Sequence, residues 1–174
     1  LKPIEFTVES IKDWEDGNGY DGGAIVTGPF NVSTTAELYN ALQTINAAST
    51  DPNNPAPAAA VINVNENIDL SQPFTKADQI SMPCIVVENN LIFNIAEGKT
   101  ITGGLFAESN GAINTGDTDS YVFWVKEGGN LTINGKGTVA TQACKYSIAV
   151  WADGGKVTIN GGTYTNAGEG SDLI

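Results

Sequence analysis

The stretch GGNLTINGKGTV at residues 128–139 returns as GGKVTINGGTY at residues 154–164, an offset of 26 residues. Gly128, Gly129, Thr132, Ile133, Asn134 and Gly135 recur as Gly154, Gly155, Thr158, Ile159, Asn160 and Gly161, while Leu131 is exchanged for the equally apolar Val157. Upstream, YVFWVKE (121–127) aligns with SIAVWAD (147–153), and in both a β-rich run ends in an acid before Gly-Gly. A unit this short cannot close a core alone. A fixed period in the twenties, made of short β-branched runs punctuated by Gly and Asn, points to strands stacked coil on coil, each burying its apolar side against the next.

Successive residues of a strand face opposite sides, so Leu131, Ile133, Val157 and Ile159 are expected inside, with Thr132 and Thr158 outside. Asn134 and Asn160 fall at the turn, one coil apart. At the inter-strand spacing of roughly 4.8 Å their amides can donate and accept along the stack. The alternative is a pair of ordinary Asn-Gly hairpin turns. On the ladder reading, Asn160→Ala should cost about 1–3 kcal/mol and Thr158→Ala much less. With this pattern of turns and short β runs, residues 33–174 resemble the right-handed parallel β-helices of the pectate-lyase-like superfamily, which carry asparagine ladders at their turns. The resemblance implies an all-β, right-handed parallel β-helix solenoid. It implies little about function, because that architecture carries lyases, hydrolases, esterases, adhesins and tail spikes.

The chain has 174 residues, enough for one domain with a sizeable core. Its 20 acids face 8 lysines, with no Arg and no His, for a net charge of −12. Nucleic acid and anionic membrane surfaces are disfavoured as partners, since both require a basic footprint. Without Arg, bidentate recognition of acidic polysaccharide is also weakened. No apolar run approaches the roughly 20 residues that span a bilayer, so no membrane insertion is expected. The acidic, Asn/Thr/Gly-rich composition suits a secreted or surface-displayed protein. Cys84 and Cys144 form no framework; a disulfide and two free thiols are both open readings.

Residues 1–14 alternate Ile4, Phe6 and Val8 with Glu5, Thr7 and Glu9, as a half-buried strand does. Residues 13–23, DWEDGNGYDGG, read as an acidic linker. FTVESIKDWEDG (6–17) resembles the final strand of a fimbrillin-like domain, from the surface proteins of Gram-negative gut bacteria. That resemblance implies that residues 1–23 end a preceding domain and that 24–174 form the β-helix. The other reading folds the strand back along the solenoid. The acids of the linker lack the alternate-ligand spacing and the twelfth-position Glu of a calcium loop, so no metal site is expected. From Ser33, Thr34-Thr35-Ala36-Glu37 forms a capping box, and Leu38, Ala41, Leu42 and Ile45 follow at helical spacing. A capping helix near 34–47 is expected, covering an apolar bore that would otherwise meet water. Coils begin at AAVINVNENIDL (59–70), and 84–104 supplies a second, less regular rung. Two polar excursions, 71–83 and 105–120, are expected to leave one side of the stack. The last residues, 172–174, align with 147–149 as the opening of another strand; this predicts further coils and end-to-end association.

Lyases of the resembling superfamily use Arg or Lys near calcium-binding acids, and its hydrolases use clustered Asp. Neither pattern occurs here, and no catalytic residue, cofactor or metal is assigned. Glu127 and Asp153 align between coils and are the nearest approach to a carboxylate pair suited to glycoside hydrolysis, against solvated turn acids as the alternative. Phe123, Trp124, Tyr146, Trp151 and Tyr164 are the candidate binding residues, because outward rings on a flat sheet suit stacking on sugars or on a partner protein. If Val122, Trp124, Ile148 and Val150 face inward, Phe123 and Trp151 are exposed; a slip of one reverses this. The expected function is a non-catalytic, secreted or cell-surface module for adhesion to a polysaccharide or surface protein. The alternative is the N-terminal part of a polysaccharide lyase or glycoside hydrolase with its active site in later coils.

Overall fold

The computed structural model describes residues 28–49, 59–72, 82–109, 112–168 and 170–172. The N-terminal strand, the acidic linker and the loop at 51–57 lie outside the described residues, as does most of the excursion at 71–83. The chain enters at β1 (Phe30–Val32) and forms helix α1 (Thr35–Ser49). It then visits three sheets in a fixed cycle. β2 (Ala60–Val64), β3 (Ile68–Asp69) and β4 (Ile85–Val87) come first, then β5 (Asn90–Ile95), β6 (Thr100–Thr102), β7 (Phe106–Ser109) and β8 (Ala112–Lys126). β9 (Asn130–Gly135), β10 (Thr138–Ala140) and β11 (Tyr146–Asp153) follow, and β12 (Lys156–Ile159), β13 (Thr163–Thr165) and β14 (Gly170–Asp172) complete the series. The first sheet orders β1-β2-β5-β9-β12, the second β3-β6-β10-β13 and the third β4-β8-β11-β14. The strands within all three are parallel. β7 pairs antiparallel with β8. The described residues are thus mostly β, with three parallel sheets and one helix among them, an arrangement compatible with a β-helix-like solenoid.

Inward residues stack in columns. Ile62, Phe93 and Ile133 lie in register on the first sheet, Ile68, Ile101 and Val139 on the second, and Ile85, Phe123 and Val150 on the third. All nine side chains are buried in one core. The Phe93 and Phe123 rings meet edge to face at 4.9 Å, joining the first and third sheets across the interior. Leu131 and Ile133 face inward at 1 % exposure, as their alternation requires.

The helix forms where its caps specify. Thr34 Oγ1 accepts from the Glu37 N–H at 3.2 Å, the N-cap bond of a capping box, while the Glu37 carboxylate reaches one residue further back and accepts from the Ser33 N–H at 2.7 Å. Leu38, Ala41, Leu42 and Ile45 are buried in the same core as Val32, Ile62 and Val64. Asn89 Nδ2 donates to Asn46 Oδ1 at 2.7 Å, tying α1 to the turn between β4 and β5.

The asparagine pair is part of a longer ladder. Asn63 donates to Asn31 at 3.0 Å, Asn94 to Asn63 at 2.8 Å, Asn134 to Asn94 at 2.9 Å and Asn160 to Asn134 at 2.8 Å. Asn160 falls just past β12, at the expected turn, whereas Asn63, Asn94 and Asn134 are the penultimate residues of their strands. Asn63 stands between inward Ile62 and Val64, and Asn94 between inward Phe93 and Ile95, so these amides line the outer face at the end of the strand. Asn94 bonds on both sides and is part-buried, whereas Asn160 bonds only downward and is exposed. Asn94→Ala is therefore expected to cost about 1–3 kcal/mol and Asn160→Ala less than about 1 kcal/mol, since stranding two partly buried partners costs more than losing one exposed bond. Urea melts of both variants check this; equal losses would show that the rungs act independently of burial.

The coil offset varies by sheet: Lys156 lies over Asn130, Thr163 over Thr138 and Ser147 over Ser120. The turns absorb the differences. At the third sheet the sequence alignment places Asp172 over Ser147, but the structure places Ser171 there, one residue earlier.

Candidate functional site

The aromatic side chains gather around the third sheet, where strict alternation fails. Val122 and Phe123 both enter the main core, and so do Ala149 and Val150 one coil later. Tyr121 and Trp124, with Ile148 and Trp151 above them, belong to a separate outer cluster. The pairings Tyr121–Ile148, Phe123–Val150 and Trp124–Trp151 keep the two doublets in register. Two consecutive inward residues require the strand to bend, and the bend repeats from coil to coil. Neither simple register holds: Val122 and Val150 face inward as expected, but Trp124 and Ile148 face outward.

This divides the five candidate residues. Phe123 is fully buried inside the stack and offers no outer surface, a correction to its expected place in a binding face. Trp124 faces outward yet is only 1 % exposed. The Trp151 ring lies on it at 4.9 Å and 15°, the Tyr121 ring meets it edge-on at 6.4 Å, and Lys126 Nζ sits 4.4 Å from its centroid. Its indole Nε1 donates to Asp153 Oδ2 at 3.1 Å. Trp124 therefore serves as backing. Tyr164 lies on the second sheet, apart from the others, and its hydroxyl donates to the Gly161 carbonyl at 3.0 Å. Burial pushes its phenol up to about 12, so it stays neutral across physiological pH.

Trp151 and Tyr146 keep accessible surface. Trp151 is half-buried, stacked on Trp124 and met edge-on by Tyr121 at 5.0 Å. Tyr146 is 48 % exposed, with Lys145 Nζ 4.9 Å from its ring. Both project from β11 with half-buried Ile148 between them. At about 3.3 Å per residue the two rings are spaced by roughly 16 Å along the strand.

The excursion at 105–120 is a hairpin rather than an open loop. β7 folds back on β8, pairing Ser109 with Ala112, and Phe106 packs edge to face on Tyr121 at 5.1 Å. The Asn-Gly pair that follows FAES in the sequence is the signal from which a hairpin could have been read. Beside it, between the hairpin and α1, runs a groove of about 690 Å³ lined by Tyr39, Leu42, Cys84, Val86, Leu105 and Phe106 among others. Cys84 and Cys144 are not joined by a disulfide, and the Cys144 thiol donates to the Tyr146 carbonyl at 2.9 Å.

Glu127 and Asp153 are not coil-equivalent, although their alignment in the sequence implied it. Asp153 lies opposite Lys126, because the third sheet steps by one residue more than the first, and its carboxylate accepts from the Trp124 indole. No family model, curated protein or solved structure matches the chain.

Proposed function

We propose that this chain is a non-catalytic binding module that holds a neutral polysaccharide along the outer face of β11. The observation that carries the reading is the pair of accessible rings, Tyr146 and Trp151, set on one strand with the Trp151 face backed by a buried Trp124. A ring fixed by stacking loses little side-chain entropy when a sugar packs on it, so its apolar contact goes into affinity. The spacing of roughly 16 Å suits a linear glycan of about three rings stacking at both ends. Neutral sugar is favoured over acidic sugar by the net charge of −12 and the lack of Arg. The same composition supports a secreted or cell-surface setting and a role in adhesion. For the fold, the cyclic order of the three sheets and the five-rung ladder support a right-handed parallel β-helix of the pectate-lyase-like kind.

The test is binding of soluble neutral glucans, mannans and xylans, followed by affinity electrophoresis and intrinsic tryptophan fluorescence. Trp151→Ala should weaken binding at least tenfold and Tyr146→Ala severalfold, while Thr158→Ala on the first sheet leaves it unchanged. Binding that is indifferent to Trp151, or absent across the panel, would overturn the reading. Release of reducing or unsaturated products would favour the enzyme alternative instead.

A further inference from the structure

We propose that the groove between α1 and the β7–β8 hairpin takes up a neutral amphiphile, an alkyl chain with an uncharged hydroxyl head. The inference does not depend on the glycan reading, because neither Tyr146 nor Trp151 lines the groove. At about 690 Å³ the groove falls within the range of sites that hold small organic ligands.

Its walls are held in place, and a site that needs no assembly loses little affinity to ordering. One wall is α1. Thr35 Oγ1 donates to the Asp69 carbonyl at 3.1 Å near the start of the helix, and the Asn89–Asn46 bond at 2.7 Å fixes the far end. The other wall is the hairpin, where Phe106 is buried edge to face on Tyr121. The Gly104 N–H donates to the Pro83 carbonyl at 2.7 Å, which seats the start of that wall on the floor of the groove.

The lining selects the ligand. Leu42, Leu70, Met82, Val86, Leu105 and Ile113 give it an aliphatic surface. Val86 stands between inward Ile85 and Val87, so its side chain lies on the outer face, where a solvated sheet ordinarily carries polar residues. Leu105, at 37 % exposure, is the most exposed large aliphatic side chain among the described residues. An unbranched, flexible Met82 adapts to an alkyl chain of varying bend. The polar groups keep to one side: Tyr39, Gln43 and Asn46 follow one another at helical spacing and share a face of α1. No described lining residue is a Lys, Asp or Glu, in a chain of net charge −12. An ionised head would give up its hydration with no opposite charge to meet it. A hydroxyl head exchanges water for an amide or a phenol, which can both donate and accept.

Fluorescence of the uncharged dye phenylnaphthylamine, which brightens in apolar surroundings, reads occupancy on the intact chain at neutral pH in physiological salt. The dye should bind saturably and be displaced by dodecanol or monolaurin. Dodecylsulfonate and dodecylammonium, with the same chain length and a charged head, should compete at least tenfold more weakly. Leu105→Asp, at a side chain that already meets solvent, should leave the circular dichroism unchanged and weaken dodecanol at least tenfold. Leu105→Lys should weaken dodecanol as well, yet strengthen dodecylsulfonate by supplying the missing opposite charge. A groove that is merely damaged by substitution would lose both. Absence of dye uptake, as when a second copy or another part of the chain fills the groove, would overturn the proposal. So would competition that ignores head charge, or dodecanol binding unmoved by Leu105→Asp.

Discussion

Phe123→Ala is expected to lower the free energy of unfolding by about 3–5 kcal/mol, the usual cost of removing a fully buried ring. Phe123 stands in register between Ile85 and Val150, and its ring meets Phe93 from the opposite sheet at 4.9 Å. No flexible neighbour is placed to refill that volume, because Ile85, Phe93 and Val150 are themselves fully buried and held by parallel ladders. Since small domains hold only about 5–15 kcal/mol in total, the variant should be marginally folded or unfolded at 37 °C. Trp151→Ala, at a half-buried ring, should cost about 1–2 kcal/mol. Urea denaturation of the two variants therefore separates interior from outer face. A larger loss at Trp151 than at Phe123 would mean that the inward doublet has been assigned to the wrong side.

The contrast shows where sequence reasoning stops. The helix was legible because its signal is local: a Thr, a Glu three residues on, and apolar residues on one face. The repeat at Gly128 and Gly154 was legible because those coils differ little in length. The lower rungs of the ladder were not, since Asn31, Asn63, Asn94 and Asn134 are separated by 32, 31 and 40 residues in turn. The hairpin of β7 and β8 accounts for the longest step, and no fixed period finds a column interrupted that way. The bend at Val122-Phe123 was hidden for a different reason. Alternation presumes a straight strand, and nothing local in YVFWVKE distinguishes two inward residues in succession from a shifted register. Pairing with β4 and β11 decides it, and pairing is a long-range property. A buried polar column was missed in the same way. Ser120 and Ser147 are in register and wholly buried; Ser120 Oγ accepts from the Gln142 N–H at 3.0 Å, and Ser147 Oγ bonds the Thr141 hydroxyl. Serines satisfied only by a turn arriving from another sheet look like surface residues in a sequence.

Gly135→Ala should be as damaging as the loss of a core ring, although it adds a single methyl group. Gly135 has φ of 100°, which a side chain resists, and it lies in register over Ile95. A Cβ there would stand 2.2 Å from the Ile95 carbonyl oxygen and 3.1 Å from that residue's backbone nitrogen. These are backbone atoms of the coil below, so no rotamer change relieves the overlap. The coils must part, and the neighbouring Asn134–Asn94 bond at 2.9 Å must stretch with them. Backbone strain of about 1–3 kcal/mol and an overpacking cost of similar size then add to roughly 3–5 kcal/mol. Gly128 supplies the control. Its φ is 85°, but a Cβ at that position meets nothing within 4 Å. Gly128→Ala should therefore carry the strain alone, about 1–2 kcal/mol. The difference between the two in denaturant melts measures the close approach of the coils, and the Asn134 side-chain amide resonances should move in Gly135→Ala only. If the two glycine variants lose equal stability, positive φ explains both, and the coils are not held at the spacing that the ladder requires.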